Sequence, residues 1–166
     1  KIIKKEKRYD YALVVTGSHL LKKHGYTIDE IKKDKFKITH KVKSFSDNTK
    51  IDDGENMILG IGKILMKISK IIKKEKPDVI LSGFDIGANL ALTIAGAHLN
   101  VPVAHIQGGE VTGTIDESIR HAMSKFAHIH FPATEDAKNR LIRLGENPKH
   151  IFNVGCPSID TIKQTP

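Results

Sequence analysis

The chain has 166 residues, a length that suits one domain, and 39% of them are hydrophobic and 28% charged, as in ordinary globular proteins. No apolar run approaches the roughly 20 residues of a membrane span. The net charge of +8 comes mostly from lysines interspersed with acidic residues, and aromatic side chains are few. No nucleic-acid partner is therefore expected, and an anionic small molecule explains the excess charge as well as a polynucleotide does.

The first part of the chain begins with a strand pattern. Residues 11–16, YALVVT, are apolar and β-branched, as in a buried strand, and the Gly-Ser-His sequence at 17–19 indicates a turn. Residues 20–34 predict one or two short helical segments. A second strand is predicted from Phe36 onward, and the polar residues 44–54 indicate a loop.

A long amphipathic helix is predicted at 55–75. Its isoleucines and leucines recur at i, i+3, i+4 and i+7, which is the spacing of one buried helix face. Either Asp52 or Asp53 is expected to cap its start, and Pro77 is expected to end it.

The rest of the chain alternates between short apolar strands and helices. Strands are predicted at 78–81, 101–106, 127–131 and 151–154, and helices at 87–98, 114–124 and 134–144. This order is typical of an α/β fold with a parallel sheet and helices on both faces. In such sheets ligands bind beyond the carboxyl ends of the strands.

Small and ionisable residues follow the predicted strands. The candidates at these strand ends are Ser18, His19, Asp85, Gln107, Gly108, Gly109 and Glu110. Glycine lets the backbone approach a ligand closely, and carboxylates and histidines are the usual groups for proton transfer. The residues alone also allow structural roles, since Asp85 can cap the next helix and His105, inside a strand, is more often a buried structural histidine.

The helix predicted from Thr114 has a polar first turn. Thr114 and Glu117 have the spacing of a capping box, and Asp116 can either complement the helix dipole or act in catalysis. The chain has neither the paired cysteines nor the His-Glu-x-x-His pattern of a metal site, and no Gly-x-Gly-x-x-Gly follows a strand. Neither a metal nor a dinucleotide cofactor is therefore expected.

The N-terminal sequence and the cysteine content bear on the cellular compartment. The first ten residues, KIIKKEKRYD, lack the apolar segment of a signal peptide. The single cysteine, Cys156, cannot form an internal disulfide, which fits a reducing environment. Both observations favour a cytoplasmic protein without a membrane partner.

Four stretches of the chain carry a family signature. They are TGSHLLKKHGYTIDEI at 16–31, HIQGGEVTGTIDESIRHAMSKFAHIHFPAT at 105–134, and then LIRLGE and FNVGCPSID. These stretches resemble the hydrolysing UDP-N-acetylglucosamine 2-epimerases, which begin the synthesis of sialic acid-type and legionaminic acid-type sugars.

The resemblance implies a two-domain fold of the glycosyltransferase-B type, with the active site in a cleft between two Rossmann-like domains. Residues 1–166 would form the N-terminal domain, without the family's first strand and without the C-terminal domain that holds the main contacts to uridine diphosphate. The 166 residues are then expected to be inactive alone. The full-length protein is expected to be a homo-oligomer.

The implied reaction eliminates UDP across carbons 1 and 2 of the sugar and then adds water, giving N-acetylmannosamine and free UDP without a cofactor. A base must remove the proton on carbon 2. Through the resemblance, Asp85 and Asp116 are catalytic carboxylates. Supporting or substrate-binding positions fall on Ser18, His19, Gly108, Gly109, Arg120 and His121.

Two departures from the family pattern lie inside this site. Many members have a glutamate where this chain has Gln107, and an amide cannot transfer a proton at neutral pH. Glu110 would then take over, or the mechanism would rely on Asp85 and Asp116. The family's Gly-Asp-Arg also reads Phe-Asp-Ile, so Ile86 replaces an arginine.

These departures leave other functions open. One is hydrolysing 2-epimerisation of a UDP-2,4-diacetamido-trideoxy sugar, since such a substrate suits a less polar pocket. Another is a non-catalytic domain that binds a sugar nucleotide. A third is a glycosyltransferase of the same architecture.

Overall fold

The computed structural model describes residue 3 and residues 6–84 and 86–163. In this part of the chain, short parallel strands form two sheets. The strands are β1 (Val14–Thr16), β2 (His40–Val42), β3 (Ile80–Gly83), β4 (Val103–Ile106) and β5 (Ile129–Phe131). Strand β1 pairs with β2, and β3, β4 and β5 pair in that order.

Helices connect these strands. They are α1 (Ile28–Lys33), α2 (Gly54–Glu75), α3 (Gly87–His98), α4 (Ile115–Phe126), α5 (Glu135–Arg143) and α6 (Pro157–Lys163). Single turns of 3₁₀ helix lie at Gly17–Leu20, Lys22–His24 and Pro148–His150. None of the helices within the described ranges is both long and apolar enough to cross a membrane.

The long helix α2 has defined ends. The carboxylate of Asp53 accepts a hydrogen bond from the N–H of Asn56 at 3.1 Å, so Asp53 rather than Asp52 is the N-cap. The helix ends at Glu75, and Lys76 adopts a left-handed backbone (φ 47°) directly before Pro77. The predicted helix is thus confirmed, together with its stop signal.

One hydrophobic core joins the two sheets through α2 and α3. Its buried residues are Val42, Ile64, Ile68, Ile72, Ile80, Ala91, Ala95 and Val103. The small residues of α3 permit close packing, since a Cβ on Gly96 would lie 2.7 Å from Val103 and 2.8 Å from Ile80. Strands β2, β3 and β4 all contribute to this core. All strand pairs in the described part of the chain are parallel, and the predicted α/β architecture with helices on both faces is confirmed.

The strand predictions from periodicity were less accurate than the helix predictions. The strand predicted from Phe36 begins only at His40, and the one predicted at 78–81 lies at Ile80–Gly83. The strand predicted at 151–154 is reduced to a single bridge between Ile151 and His130. A strand needs a partner that offers both N–H and C=O groups, and Pro132, next to this bridge, has no N–H to donate.

Candidate active site

Strands β3 and β4 end at the same level of their sheet. Their register pairs Gly83 with Ile106, so Phe84 and Gln107 are the first residues beyond the two strands. Both adopt the left-handed backbone, with φ of 64° and 61°. This conformation costs roughly 1–2 kcal/mol for a residue with a side chain, and such strain concentrates at functional sites.

A cavity of about 300 Å³ opens at this edge. Its lining consists of Phe84, His105, Gln107, Glu110, Val111, Thr112 and Arg120. The structure therefore brings together three of the residues predicted for the site, namely Gln107, Glu110 and Arg120. The position of the cavity agrees with the rule that open α/β sheets bind ligands beyond their strand ends.

Residues 107–114, which we call the site loop, are fixed by side chains of two helices. From α4, Arg120 donates from Nη1 to the carbonyl oxygen of Glu110 at 2.7 Å. From α5, Arg140 donates to the carbonyl oxygen of Gly109. Arg120 is only 7% exposed, so its guanidinium acts within the protein as a support for the loop backbone.

The third attachment of the site loop comes from Glu117 in α4. Its Oε2 accepts hydrogen bonds from the N–H groups of Thr112 and Gly113, each at 2.8 Å. These two bonds, that of Gly113 first, lower the pKa of the Glu117 carboxyl. The predicted capping box is wrong in both halves, because the Thr114 side chain caps no N–H and Glu117 does not bond to the N–H of Thr114. Glu117 instead reaches past Thr114 to two amides that the loop leaves unpaired.

Two of the three glycines in the site loop, Gly108 and Gly109, are required by close packing. A Cβ on Gly108 would lie 2.8 Å from Nδ1 of His105 and 3.0 Å from Oγ of Ser124. Gly109 has φ 86°, and a Cβ there would overlap the carbonyl group of Ala137 in α5. Their contact with a substrate stays a prediction.

His105 is fully buried and also lines the cavity. Its Nδ1 lies 3.1 Å from Oγ of Ser124, and Ser124 donates its hydroxyl hydrogen to the carbonyl oxygen of Arg120. Because that hydroxyl has only one hydrogen, Nδ1 of His105 is the donor to Oγ. His105 therefore has the structural role that the sequence favours, and it also forms part of the cavity wall.

Asp116 and His121 lie on α4 outside the cavity lining. Asp116 is half-buried in the first turn, and no hydrogen bond or ion pair engages its carboxylate among the described residues. Nε2 of His121 lies 3.7 Å from Oε1 of Glu117. Catalysis by Asp116 and substrate binding by His121 stay predictions.

The remaining candidates lie away from this cavity or outside the described residues. Ser18 and His19 form the 3₁₀ turn after β1, where Nδ1 of His19 lies 2.7 Å from Oγ1 of Thr27, and neither lines the cavity. Asp85 lies outside the described residues. Their assigned roles therefore stay predictions.

One contact at the site was not predicted from the sequence. Nε2 of Gln107 donates to Sγ of Cys156 at 3.2 Å. Cys156 lies directly before α6, and the N–H groups of Ile159 and Ser158, in this order, are the main causes that lower the pKa of its thiol. The only sequence signal for this contact is that both residues follow predicted strands.

Comparisons with known proteins identify the family of this chain. The family model described as UDP-N-acetylglucosamine 2-epimerase matches residues 1–166. The chain belongs to this family. Among curated family members, it is 44% identical over 155 residues to the UDP-N,N'-diacetylbacillosamine 2-epimerase (hydrolyzing) of Legionella pneumophila, covering 93% of this chain and 40% of that protein. It is 37% identical over 150 residues to the UDP-N-acetylglucosamine 2-epimerase of Neisseria meningitidis, covering 90% and 38%.

Solved structures of the family share the fold. The crystal structure of the Neisseria meningitidis UDP-GlcNAc 2-epimerase bound to UDP-GlcNAc superposes with a TM-score of 0.81 at 20% identity, over 98% of this chain and 42% of that one. The predicted Rossmann-like, glycosyltransferase-B type fold is confirmed. The chain spans about 40% of the length of the family members it matches.

Proposed function

We propose that the full-length protein is a hydrolysing UDP-N-acetylglucosamine 2-epimerase, which eliminates UDP and hydrates the resulting 2-acetamidoglucal to N-acetylmannosamine. The observation that carries this proposal is the cavity beyond β3 and β4, lined by Gln107, Glu110 and Arg120 in a chain that belongs to the epimerase family. The chain itself would be the N-terminal domain. A second domain would hold the UDP group, so no turnover is expected from these 166 residues alone.

Glu110 is the best-placed proton-transfer group of the cavity. Glu110 belongs to the lining, and its Oε1 accepts a hydrogen bond from Oγ1 of Thr134 at 3.4 Å. The Arg120–carbonyl bond fixes the Glu110 backbone, so the carboxylate starts from a defined position. We assign to Glu110 the proton transfer that the amide of Gln107 cannot perform, and to Asp85 and Asp116 the other carboxylate roles of the family.

A second candidate substrate is a UDP-2,4-diacetamido-trideoxy sugar. The observation in its favour is the apolar part of the cavity lining, formed by Phe84 and Val111, which are 64% and 54% exposed. Apolar side chains suit a sugar that has lost hydroxyl groups. The name of the Legionella pneumophila relative includes a diacetamido sugar of this class.

Two further properties belong to this proposal. The lone Cys156 supports a protein of the reducing cytoplasm. Exposed apolar side chains on α2, at Ile58, Leu59 and Met66, support self-association of the full-length protein.

The test is proton NMR in D₂O of the full-length protein with UDP-N-acetylglucosamine. We expect free UDP and N-acetylmannosamine that carries deuterium at carbon 2, because the base exchanges its proton with solvent before the product forms. The matched variant Asp116→Asn should lower turnover by about 100-fold or more, the scale of lost acid–base catalysis. Circular dichroism of the variant, compared with that of the wild type, is the control for folding.

The alternative functions predict different results with the two sugar nucleotides. Turnover of only the diacetamido sugar nucleotide would select the second candidate. Binding of either sugar nucleotide without release of UDP would select a non-catalytic binding domain. Transfer of the sugar to an acceptor, with the configuration at carbon 2 unchanged, would select a glycosyltransferase. Undiminished turnover by Asp116→Asn would remove this residue from the mechanism.

A further inference from the structure

Phe84 has an unusual backbone conformation, and the contacts that maintain it do not involve the Phe84 side chain. The left-handed φ of 64° is a genuine outlier for a bulky residue. Nδ2 of Asn89, in α3, donates to the carbonyl oxygen of Gly83 and, at 3.2 Å, to that of Phe84. Glycine adopts this conformation without strain, so the backbone alone would favour glycine at position 84.

The side chain of Phe84 contributes little to the hydrophobic core. It is 64% exposed, and it lies outside the core cluster that joins the two sheets. An aromatic ring that is both exposed and attached to a strained backbone is better explained by a ligand contact than by folding. Phe84 lines the same cavity as Glu110, Gln107 and the exposed Val111.

We infer that Phe84 is a specificity-determining residue whose ring forms the apolar wall of the sugar pocket and favours sugars that carry apolar substituents. This inference rests on the proposed function and names a residue that selects its substrate. The polar part of the cavity lining, with Glu110 and Gln107, serves the sugar's polar groups. A hydroxyl group placed against the ring of Phe84 would lose water without gaining a hydrogen bond, whereas a methyl group would keep its favourable contact.

The test compares two ligands across four forms of the full-length protein. The ligands are UDP-N-acetylglucosamine and its 2,4-diacetamido-2,4,6-trideoxy counterpart, which replaces two hydroxyl groups by an acetamido group and a hydrogen. The proteins are the wild type, Phe84→Gly, Phe84→Leu and Lys76→Gly. Dissociation constants come from calorimetry, and turnover comes from UDP release.

We expect Phe84→Gly to shift the ratio of the two dissociation constants towards UDP-N-acetylglucosamine by about tenfold, the usual effect of a small apolar contact in a binding pocket. Phe84→Leu keeps an apolar side chain and should remain within about threefold of the wild type. Lys76→Gly relieves a similar backbone strain, at φ 47°, at the end of α2 and outside the cavity lining, and should leave the ratio unchanged. Thermal unfolding should show Phe84→Gly to be at least as stable as the wild type.

The outcomes separate this inference from the proposed function. An unchanged ratio in folded Phe84→Gly, with turnover retained, overturns the role of Phe84 alone. A shifted ratio without any turnover supports the apolar wall and rejects the epimerase. Failure of the wild type to bind either sugar nucleotide rejects both.

Discussion

The amide of Gln107 lies between the cavity and the only cysteine of the chain. Its Nε2 donates to Sγ of Cys156, and an amide N–H stabilises a thiolate more than it stabilises a neutral thiol. This bond adds to the larger effect of the Ile159 and Ser158 N–H groups, which lower the pKa of the same thiol. Where many family members have an ionisable glutamate, this protein therefore has a neutral donor beside a thiol.

Replacing Gln107 by glutamate should reverse this effect. The Gln107→Glu variant loses the donor and places a negative charge beside the sulfur, so the pKa of Cys156 should rise and less thiolate should be present near neutral pH. We expect the rate of Cys156 alkylation by iodoacetamide at pH 7.5 to fall by roughly three- to tenfold. Mass spectrometry of the Cys156 peptide measures the rate in the full-length protein.

Gln107→Met is the matched control for this change. It removes the donor without adding charge, so its alkylation rate should lie between those of the wild type and Gln107→Glu. Equal rates in all three proteins would show that the contact between Gln107 and Cys156 has no influence on the thiol.

At the scale of elements, the interior of helix α2 contains two glycines in different surroundings. Gly60 is buried, and a Cβ there would overlap the ring of Phe45. Gly62, half a turn further on, has no atom within 4 Å of the position of its Cβ. The first glycine is therefore required by packing, whereas the second only lowers the helix propensity of the segment.

Alanine substitutions should separate these two cases. We expect Gly62→Ala to stabilise α2 by about 0.5–1 kcal/mol, and Gly60→Ala to destabilise it by about 1–3 kcal/mol because the Phe45 ring must move. Hydrogen exchange of the α2 peptides in the full-length protein gives the local free energy of opening. A gain in stability for both variants would contradict the close packing of Phe45 on Gly60.

The sequence pattern predicted the helices better than the strands, for a physical reason. Helix α3 was predicted with its observed bounds, Gly87–His98, because helical hydrogen bonds and side-chain spacing are local. The end of a strand depends on what its neighbour offers. Val101 and Pro102 have the composition of a strand, but β4 begins only at Val103. Pro102 has no N–H to donate to a neighbouring strand, and only its carbonyl oxygen takes part in pairing, by accepting a hydrogen bond from the N–H of Ile80.

At the scale of the whole molecule, the rule that ligands bind beyond strand ends predicted the place of the cavity but only part of its lining. Gln107 and Glu110 were predicted from it, and Arg120 from the family resemblance. Phe84 and Val111 were not predicted, because exposed apolar residues in a loop carry no local signal. Nor does the sequence reveal that Cys156 contacts Gln107, since this contact depends on how α6 follows β5 in space.

The stability of the whole domain should depend on pH through His130. This histidine is 1% exposed, and burial is the main cause that lowers its pKa from 6.5, with Lys125 and His150 adding to the effect. The carboxylate of Glu146, 3.2 Å from Nε2, opposes the shift and also pairs with Lys125 at 2.7 Å. The folded protein therefore favours the neutral imidazole.

The preference for a neutral His130 determines how the stability of the domain changes with pH. Above pH 6.5 the histidine is neutral in both states, and its contribution to stability is fully present. As the pH falls below 6.5, towards the lowered pKa of the folded state, the unfolded chain binds the proton more readily and stability is lost. We expect the urea midpoint of this domain to decrease between pH 7.5 and pH 5.5, and to decrease less in His130→Gln.

The exposed His98 provides the control. His98→Gln removes an ionisable group from the surface of α3 and should keep the pH dependence of the wild type. Tryptic peptide protection during urea unfolding reports on this domain within the full-length protein. A midpoint that is independent of pH in the wild type would show that burial of His130 has no thermodynamic effect.

The three attachments of the site loop also have a consequence for the thermodynamics of recognition. Because Arg120, Arg140 and Glu117 hold its backbone through hydrogen bonds within the protein, the conformational entropy of residues 107–114 is lost during folding and not during binding. A ligand that enters the cavity therefore meets an ordered surface. At the site loop, affinity is then governed by the quality of the contacts, and the entropic cost of ordering falls mainly on the ligand.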